Sequence, residues 1–358
     1  MFLSNYVKQA KKYLNPLVVF SICGYALYLR LIHLSTHLSL WLDEEYQVAR
    51  MYGSFMDMLR ALPQTEYCPY LSGDYYLIYP FFKIFSFNKW GLAIPHIIAT
   101  IAGFYLLYLI CRRYFKTIWG YIITFTIVCF NSNLIIHATE IRVYAVFPAL
   151  ALACLYLSLR LVDQNINMSL KKKWAIGTFF VLTIWFHVYG ILILFCPLLF
   201  SLLIKIKDKD FKLIIKDTAK FLSVVLAVAM PLWLISVFGP HTVYNRYNTF
   251  QYIPSPFKDI AGFLKSVFGN LIGRKQLYFL LSGIILPFIV PYQKRFQQMV
   301  FLALAVIMPI GLILLSSMNN EHYFLQRYFV WVMPFFAFFL GWSWDSFIGY
   351  IRKKSVRQ

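Results

Sequence analysis

The sequence predicts an all-α polytopic membrane protein with about ten transmembrane helices. Hydrophobic residues make up 60% of the 358 positions, and charged residues make up only 13%. A soluble domain of this length carries about twice that share of charge. Apolar runs close to the length that crosses a bilayer recur along the whole chain. Residues 1–358 are therefore predicted to form a single transmembrane domain.

The apolar runs define the predicted spans, which are roughly 16–36, 91–111, 118–136, 143–161, 174–188, 190–206, 219–239, 276–290, 298–316 and 328–347. The first span contains Arg30 and lacks a small-residue cleavage site, so it is expected to remain as an anchor. Cys68 is the one cysteine in a predicted outward loop, and no Cys/His spacing typical of zinc occurs.

Basic residues are distributed unevenly between the two sides of the predicted bundle. The two termini and the four loops that alternate onto their side hold 22 of the 34 Lys and Arg residues. The positive-inside rule places this side, with both termini, in the cytoplasm. These basic residues are spread over short loops and form no single groove, so nucleic acid is not expected as a partner.

The opposite, outward side carries the longer connections. Two sizeable loops, 37–90 and 240–275, are predicted there, together with three short corners, NLIIHATEIRVY, WFHVYG and SSMNNEHYFLQRYF. Because the inward loops are short and basic, the chemistry is predicted to lie on the outward side.

The first outward loop begins with SLWLDEEYQVARMYGS, which contains three consecutive acids, Asp43, Glu44 and Glu45. Its apolar spacing predicts an amphipathic helix along the membrane surface. Acids in the first turn of such a helix are stabilised by the helix dipole, and this reading makes them a capping residue and solvated neighbours. Three carboxylates beside lipid cost more to desolvate than this explains, which favours a functional carboxylate among them.

Several motifs, in this order along the chain, resemble those of the GT-C glycosyltransferases. They are the acids after the first span, YCPYLSGDYYLIYPFFKIFSFNKW, NSNLIIHATEIRVYAVFP, LTIWFHVYGILILFCPLLF and QRYFVWVMPFF. The chain is most similar to the protein mannosyltransferase-like glycosyltransferase family 39, with bacterial aminoarabinose transferases as relatives. The resemblance covers about residues 16–345. It implies the GT-C fold, with surface helices in the first outward loop, in a cell membrane, the bacterial inner membrane being expected.

The resemblance also implies a reaction. A hexosyl- or pentosyltransferase would move a sugar from a polyprenyl-phosphate donor to a hydroxyl of a lipid, glycan or protein acceptor, with inversion, on the outer face. By the resemblance Asp43 is the general base that takes the hydroxyl proton. Glu44 would orient the loop or hold Asp43, and Glu45 is read as solvated.

The leaving phosphate needs cations aimed at its developing charge. Arg142 and Arg327, at outward corners that match the family, are the candidates, because guanidinium groups suit phosphate oxygens. The alternative is that each arginine only reaches toward lipid headgroups. Lys83 and Lys89 are weaker candidates for the same role. Further substrate or sugar contacts are assigned to four residues, namely Asp74, Tyr75, Glu140 and His187.

Three alternatives stay open. Glu140 either pairs with Arg142, which is favoured, or joins Asp43 and Glu44 as an oxygen ligand of a divalent cation, so that metal use is undecided. Tyr75 and His187 are equally read as interface and structural residues. A transporter or flippase of lipid-linked sugars is the rival function. Such a protein would place ionisable groups near the membrane middle, whereas here they gather at span ends.

Overall fold

The computed structural model describes residues 2–65, 71–164, 168–238, 282–316 and 326–355. Regular structure in these ranges is helical throughout, in agreement with the predicted all-α class. The predicted second outward loop, 240–275, and Cys68 lie outside the described residues.

The helices of the described ranges follow one another in chain order. They are α1 (Phe2–Thr36), α2 (Leu42–Ala49), α3 (Phe55–Thr65), α4 (Gly73–Phe85), α5 (Lys89–Tyr114), α6 (Ile118–Phe130), α7 (Ser132–His137), α8 (Phe147–Gln164), α9 (Leu170–Phe186), α10 (Gly190–Leu203), α11 (Phe211–Phe238), α12 (Tyr292–Phe301), α13 (Met308–Ser316) and α14 (Met333–Ser355). Short 3-10 turns at Val143–Ala145, Leu286–Phe288 and Gln326–Val332 and a π segment at Leu302–Ile307 complete the set.

Five helical stretches of the described residues are long and apolar enough to cross a membrane. They are Leu14–Thr36, Lys89–Tyr114, Val143–Asp163, Phe211–Val237 and Tyr292–Leu312, which overlap the first, second, fourth, seventh and ninth predicted spans.

The predicted third span, 118–136, is interrupted. Its helix ends at Phe130, and the Asn131 side chain accepts a hydrogen bond from the backbone N–H of Leu134 at 3.1 Å. This contact starts α7, because Asn is a favoured N-cap residue.

Helices α6 and α14 pack closely against each other in the main core. A Cβ atom added to Gly341 would come within 2.0 Å of Thr124 Oγ1 and 2.6 Å of the Gly120 carbonyl oxygen. Only glycine therefore permits this approach, as is common between helices in membranes. The residues of α14 from Met333 to Ser343 are buried throughout, so this helix forms the centre of the bundle.

A buried charged residue lies at each end of α6. Asp345 accepts hydrogen bonds from the backbone N–H groups of Lys116 at 2.9 Å and Thr117 at 2.6 Å. At the other end Arg30, which is 1% exposed, donates to the carbonyl oxygen of Cys129 at 3.1 Å. An anion at a helix N-terminus and a cation at its C-terminus both match the helix dipole. Arg30 is therefore accommodated in the first span by the end of a neighbouring helix.

Corners that the sequence predicts on one side of the membrane meet at one end of the bundle. At one end Asp163 forms ion pairs with Arg113 and with Lys205, the latter at 3.6 Å, which joins three of the predicted inward loops. At the other end lie α2, α3 and α4, the start of α5 and the turns at 138–146 and 187–189. We call this second end the α2–α4 end.

A second, smaller core holds the α2–α4 end together. It joins α2, α3 and α4 to the start of α5 and to Ile141, which directly precedes Arg142. Its buried members are Val48, Met51, Met58, Leu62, Tyr75, Ile78, Phe82, Leu92 and Ile141. The outer faces of α2 and α3 expose Leu42, Tyr46 and Met56, as expected of the predicted amphipathic surface helices.

Candidate active site

The three acids of α2 occupy the first turn of the helix, but their side chains diverge. Asp43 is half-buried, Glu44 is fully buried and Glu45 is exposed. Successive residues of an α-helix are about 100° apart, so neighbours in sequence face different surroundings. The acidic run therefore consists of three carboxylates in three environments.

Glu44 links three parts of the chain. Its Oε2 atom accepts hydrogen bonds from Lys89 Nζ at 3.0 Å and from the Trp41 backbone N–H at 3.1 Å. Its Oε1 atom accepts from the Ile141 backbone N–H at 2.7 Å. The buried carboxylate thus fixes the start of α2, the start of α5 and the corner that carries Arg142, which is the orienting role that the resemblance implies.

The two lysines predicted as weaker phosphate ligands are both engaged elsewhere. Lys89 is 7% exposed, and its Nζ donates to Glu44 and to the Ser39 carbonyl oxygen at 3.0 Å. Lys89 thus neutralises Glu44, because a buried carboxylate needs a paired cation. Lys83 lies on the exposed face of α4 and donates to the Gly53 carbonyl oxygen.

Arg142 lies beside Asp43. Its Nη1 donates to the Asp43 backbone carbonyl oxygen at 3.3 Å and to Gln47 Oε1 at 3.1 Å. Its Nε–H is buried and has no partner within the described residues. Burial lowers the pKa of the guanidinium, but nearby tyrosines and carboxylates, Asp43 and Asp74 among them, raise it overall. Arg142 therefore remains a cation with donor capacity left for a ligand.

A buried chain of polar contacts runs from Arg142 through Gln47 and Asp74 to His96. Gln47 Nε2 donates to Asp74 Oδ2 at 2.6 Å, and His96 Nε2 lies 3.1 Å from Asp74 Oδ1. All three side chains are at least nine-tenths buried. The Asp74 carboxylate, predicted as a sugar contact, thus faces Gln47 and His96 in the interior.

Tyr75, the second predicted sugar contact, is 4% exposed and belongs to the small core. Its hydroxyl oxygen accepts a hydrogen bond from Arg50 Nη1 at 2.9 Å. Burial raises the pKa of this phenol, while the nearby Arg50 and Arg142 guanidinium groups lower it. Arg50 thus adds a second cation close to Arg142.

A close approach of two helix ends brings His187 to the same place. A Cβ atom at Gly73 would meet the Phe186 ring at 2.4 Å and the Phe186 Cα atom at 2.7 Å, so α4 can begin here only with glycine. His187 Nδ1 accepts from the Tyr189 backbone N–H at 3.3 Å. Burial, and next the Arg142 charge, lower the pKa of His187 to about 3. The imidazole is therefore neutral near pH 7 and can take part only as a hydrogen-bonding group.

Glu140 does not pair with Arg142, so the favoured reading of this corner is corrected. Its Oε2 atom lies 2.7 Å from His137 Nδ1, whereas Arg142 turns toward α2. The two side chains reach different neighbours because the chain is not helical at this corner: Arg142 has extended backbone angles. Within the described ranges no group of three metal-binding side chains lies close enough together to hold an ion.

Arg327 lies in the 3-10 turn Gln326–Val332, which contacts α7 and α8. The structure thus brings its backbone to the α2–α4 end. Its side chain lies outside the described part of the chain.

Three residues of the site were not singled out in the sequence. Gln47 and Arg50 lie four and seven positions after Asp43, so a helical pattern read from Asp43 along α2 would have found both. His96 stands alone in an apolar run, and no pattern in the sequence distinguishes it from a structural histidine.

Part of the chain is similar to a known protein family. A family profile described as dolichyl-phosphate-mannose-protein mannosyltransferase matches residues 73–235. This segment contains α4, Arg142 and His187. A search of curated proteins finds no match.

Two solved structures share the fold, both of ArnT from Cupriavidus metallidurans. The apo state matches with a TM-score of 0.59 and 14% identity, covering 91% of this chain and 59% of that one. The form bound to undecaprenyl phosphate matches with a TM-score of 0.56 and 14% identity, covering 94% and 63%. This chain therefore spans about three-fifths of their length. These likenesses confirm the multi-pass GT-C fold and the resemblance to GT-C membrane glycosyltransferases.

Proposed function

We propose that the chain is an integral-membrane glycosyltransferase that moves a hexosyl or pentosyl group from a polyprenyl-phosphate donor to an acceptor hydroxyl. The observation that carries this proposal is that Asp43, whose side chain is half-buried, lies beside Arg142: the guanidinium donates to the Asp43 backbone carbonyl oxygen, and its Nε–H is buried and has no partner among the described residues. Asp43 lies in α2, which follows the apolar stretch Leu14–Thr36, and Arg142 directly precedes the apolar stretch Val143–Asp163. A lipid phosphate and a water-borne or membrane-borne acceptor can meet at such a position.

In the proposed reaction the acceptor oxygen attacks the anomeric carbon of the sugar. The bond between that carbon and the phosphate oxygen breaks, and the bonding electrons leave with the polyprenyl phosphate. Asp43 takes the hydroxyl proton as the new bond forms. Arg142, with Arg327, stabilises the charge that develops on the leaving phosphate. Attack from the face opposite the phosphate inverts the configuration of the sugar.

The substrate class is supported by the family and the solved structure that this chain resembles. One names dolichyl-phosphate mannose, and the other describes a complex with undecaprenyl phosphate. Both are lipid phosphates, and this chain offers a cleft next to the corner that carries Arg142. Its walls include Phe104, Leu134 and Leu152. We assign the prenyl chain of the donor to these apolar walls, since only an apolar ligand gains from burial there.

The proposal places the α2–α4 end on the outer side of a cell membrane and both termini in the cytoplasm, in agreement with the basic loops of the opposite end. A cysteine introduced within 205–218 should then resist an impermeant thiol reagent in intact cells. Labelling at that position would reverse the orientation.

The experiment that tests the function uses purified protein in vesicles that contain lipid-linked sugars. Loss of the sugar from the donor, without movement of donor across the bilayer, is the expected result. Movement without loss would instead support the transporter or flippase reading. In the same assay Arg327→Ala should reduce transfer and Arg327→Lys should restore part of it, because an ammonium group cannot make a two-point contact.

A further inference from the structure

Gln47 stands between a cation and a carboxylate. Its Oε1 atom accepts from Arg142 Nη1 at 3.1 Å, and its Nε2 atom donates to Asp74 Oδ2 at 2.6 Å. The side chain is 2% exposed, so these two neighbours, and not water, determine how the amide is oriented. Its oxygen must face the guanidinium and its nitrogen must face the carboxylate, because the reverse would oppose donor to donor and acceptor to acceptor.

Without this amide, Arg142 and Asp74 could contact each other directly. Asp74 would then compete with the donor phosphate for the guanidinium. A guanidinium and a carboxylate in contact form a two-point pair that uses two of the donor groups and cancels the charge. A guanidinium engaged in this way has less to offer an arriving phosphate. With Gln47 in between, Arg142 keeps its Nε–H without a partner in the described part of the chain, and Asp74 contacts Gln47 and His96.

We propose that Gln47 is a positioning residue that acts as a neutral spacer: it separates Arg142 from Asp74 and so leaves the guanidinium available for the donor phosphate. The inference rests on the proposed phosphate-binding role of Arg142. It goes further by assigning a function to a residue one helical turn after Asp43, on the same face of α2.

The other contacts of Asp74 and Arg142 support this role. Asp74 is held from its far side by His96, whose Nε2 atom lies 3.1 Å from Oδ1, so the carboxylate is fixed at a set distance from Arg142. Arg142 is held from its other side by the Asp43 carbonyl oxygen at 3.3 Å. Gln47 thus joins the helix that carries the proposed base, the carboxylate of α4 and the proposed phosphate ligand.

The test measures equilibrium binding of undecaprenyl phosphate to purified full-length variants in detergent. Gln47→Ala should weaken binding by about tenfold, since the freed guanidinium turns to Asp74 and a hydrogen bond to a charged group is of that order. The double variant Gln47→Ala/Asp74→Asn removes the competitor and should recover binding to within about threefold of wild type, a non-additive result. Gln47→Met, similar in volume, replaces Gln47→Ala if thermal unfolding shows that the alanine variant is not folded.

Arg142→Ala separates the two ways in which the inference can fail. If Arg142→Ala binds undecaprenyl phosphate as wild type does, the phosphate role of Arg142 is overturned, and the spacer role with it. If Arg142→Ala loses binding but Gln47→Ala binds normally, or the double variant binds no better than Gln47→Ala, the spacer role alone is overturned. A residue needed only for packing would give a double variant at least as weak as the single one.

Discussion

The two edges of α2 each begin with a carboxylate, but the two carboxylates lie in different environments. On the edge that faces the small core, Glu44 is followed at helical spacing by Val48 and Met51, all three of them buried. Its two oxygens accept three hydrogen bonds from three separate parts of the chain. On the neighbouring edge, Asp43 is followed at the same spacing by Gln47 and Arg50, and the carboxylate is half-buried beside Arg142.

The comparison teaches how two adjacent acids come to serve different purposes. A carboxylate that is fully buried must be saturated, because an unsatisfied charge in the interior is costly. A saturated carboxylate cannot accept a further proton donor without losing a partner. The side chain that keeps access to solvent beside a cation is therefore the one suited to proton transfer.

Asp43→Asn is the strongest test of the different roles assigned to the two acids. The amide keeps the shape of the side chain but cannot accept the hydroxyl proton, so we expect turnover to fall by about two to four orders of magnitude. Binding of undecaprenyl phosphate and the melting temperature should change little, since no packing is lost. Sugar transfer, lipid binding and thermal unfolding of the purified variant are measured together.

Suppose that Asp43→Asn has normal turnover, whereas Glu44→Gln is inactive but normally stable. The roles of the two edges would then be exchanged. The base would then lie on the buried side of α2, and the argument from saturation would be wrong.

Arg142→Ala is expected to have the next largest effect. Removing a donor aimed at developing charge reduces turnover by about two to three orders of magnitude in other enzymes. Arg142→Lys should recover only part of this, because a point charge cannot replace a planar fork of donors. Unlike Asp43→Asn, both variants should also bind undecaprenyl phosphate more weakly, and this difference in binding separates the base from the phosphate ligand.

The sequence predicted much of this arrangement because sidedness and order are readable from apolar runs and charge. It placed the acids of α2, the Arg142 corner and the turn at His187 on one side, and the structure brings them together. It could not predict that Glu140 contacts His137 and not Arg142. The directions of these two side chains depend on the backbone angles at the corner, which the sequence pattern does not give. Nor could it predict Asp74 and His96 as partners, since a contact between α4 and α5 depends on how the helices pack.

Glu44→Gln tests the structural edge of α2. The amide leaves Lys89 buried without its countercharge, and removing one partner of a buried pair costs about 3–5 kcal/mol of the free energy of unfolding. We expect a clear drop in melting temperature and a loss of transfer per folded molecule of about tenfold, because the Ile141 corner is held less firmly.

A matched variant separates charge from packing at this position. Glu44→Leu with Lys89→Met removes both charges, and replacing a buried pair by apolar residues is often close to neutral for stability. If the double variant is no more stable than Glu44→Gln, the ion pair is not what fixes the start of α2.

The smallest effect is expected for Glu45→Gln, the third acid of the run. Glu45 is exposed, and surface substitutions away from special features usually change stability by less than about 0.5 kcal/mol. The lost charge is also one of three in the first turn of α2, where Asp43 and Glu44 continue to favour the helix dipole. Turnover and melting temperature should therefore both stay close to wild type.

Measured beside Asp43→Asn and Glu44→Gln, this variant shows why the sequence has three consecutive acids. If only the Asp43 and Glu44 variants show losses, the first mainly in turnover and the second mainly in stability, then chemistry and anchoring require two acids while the third only faces water. A turnover loss in Glu45→Gln as large as that in Asp43→Asn would mean instead that the acceptor approaches across the exposed face of α2, and that access to solvent alone does not identify the base.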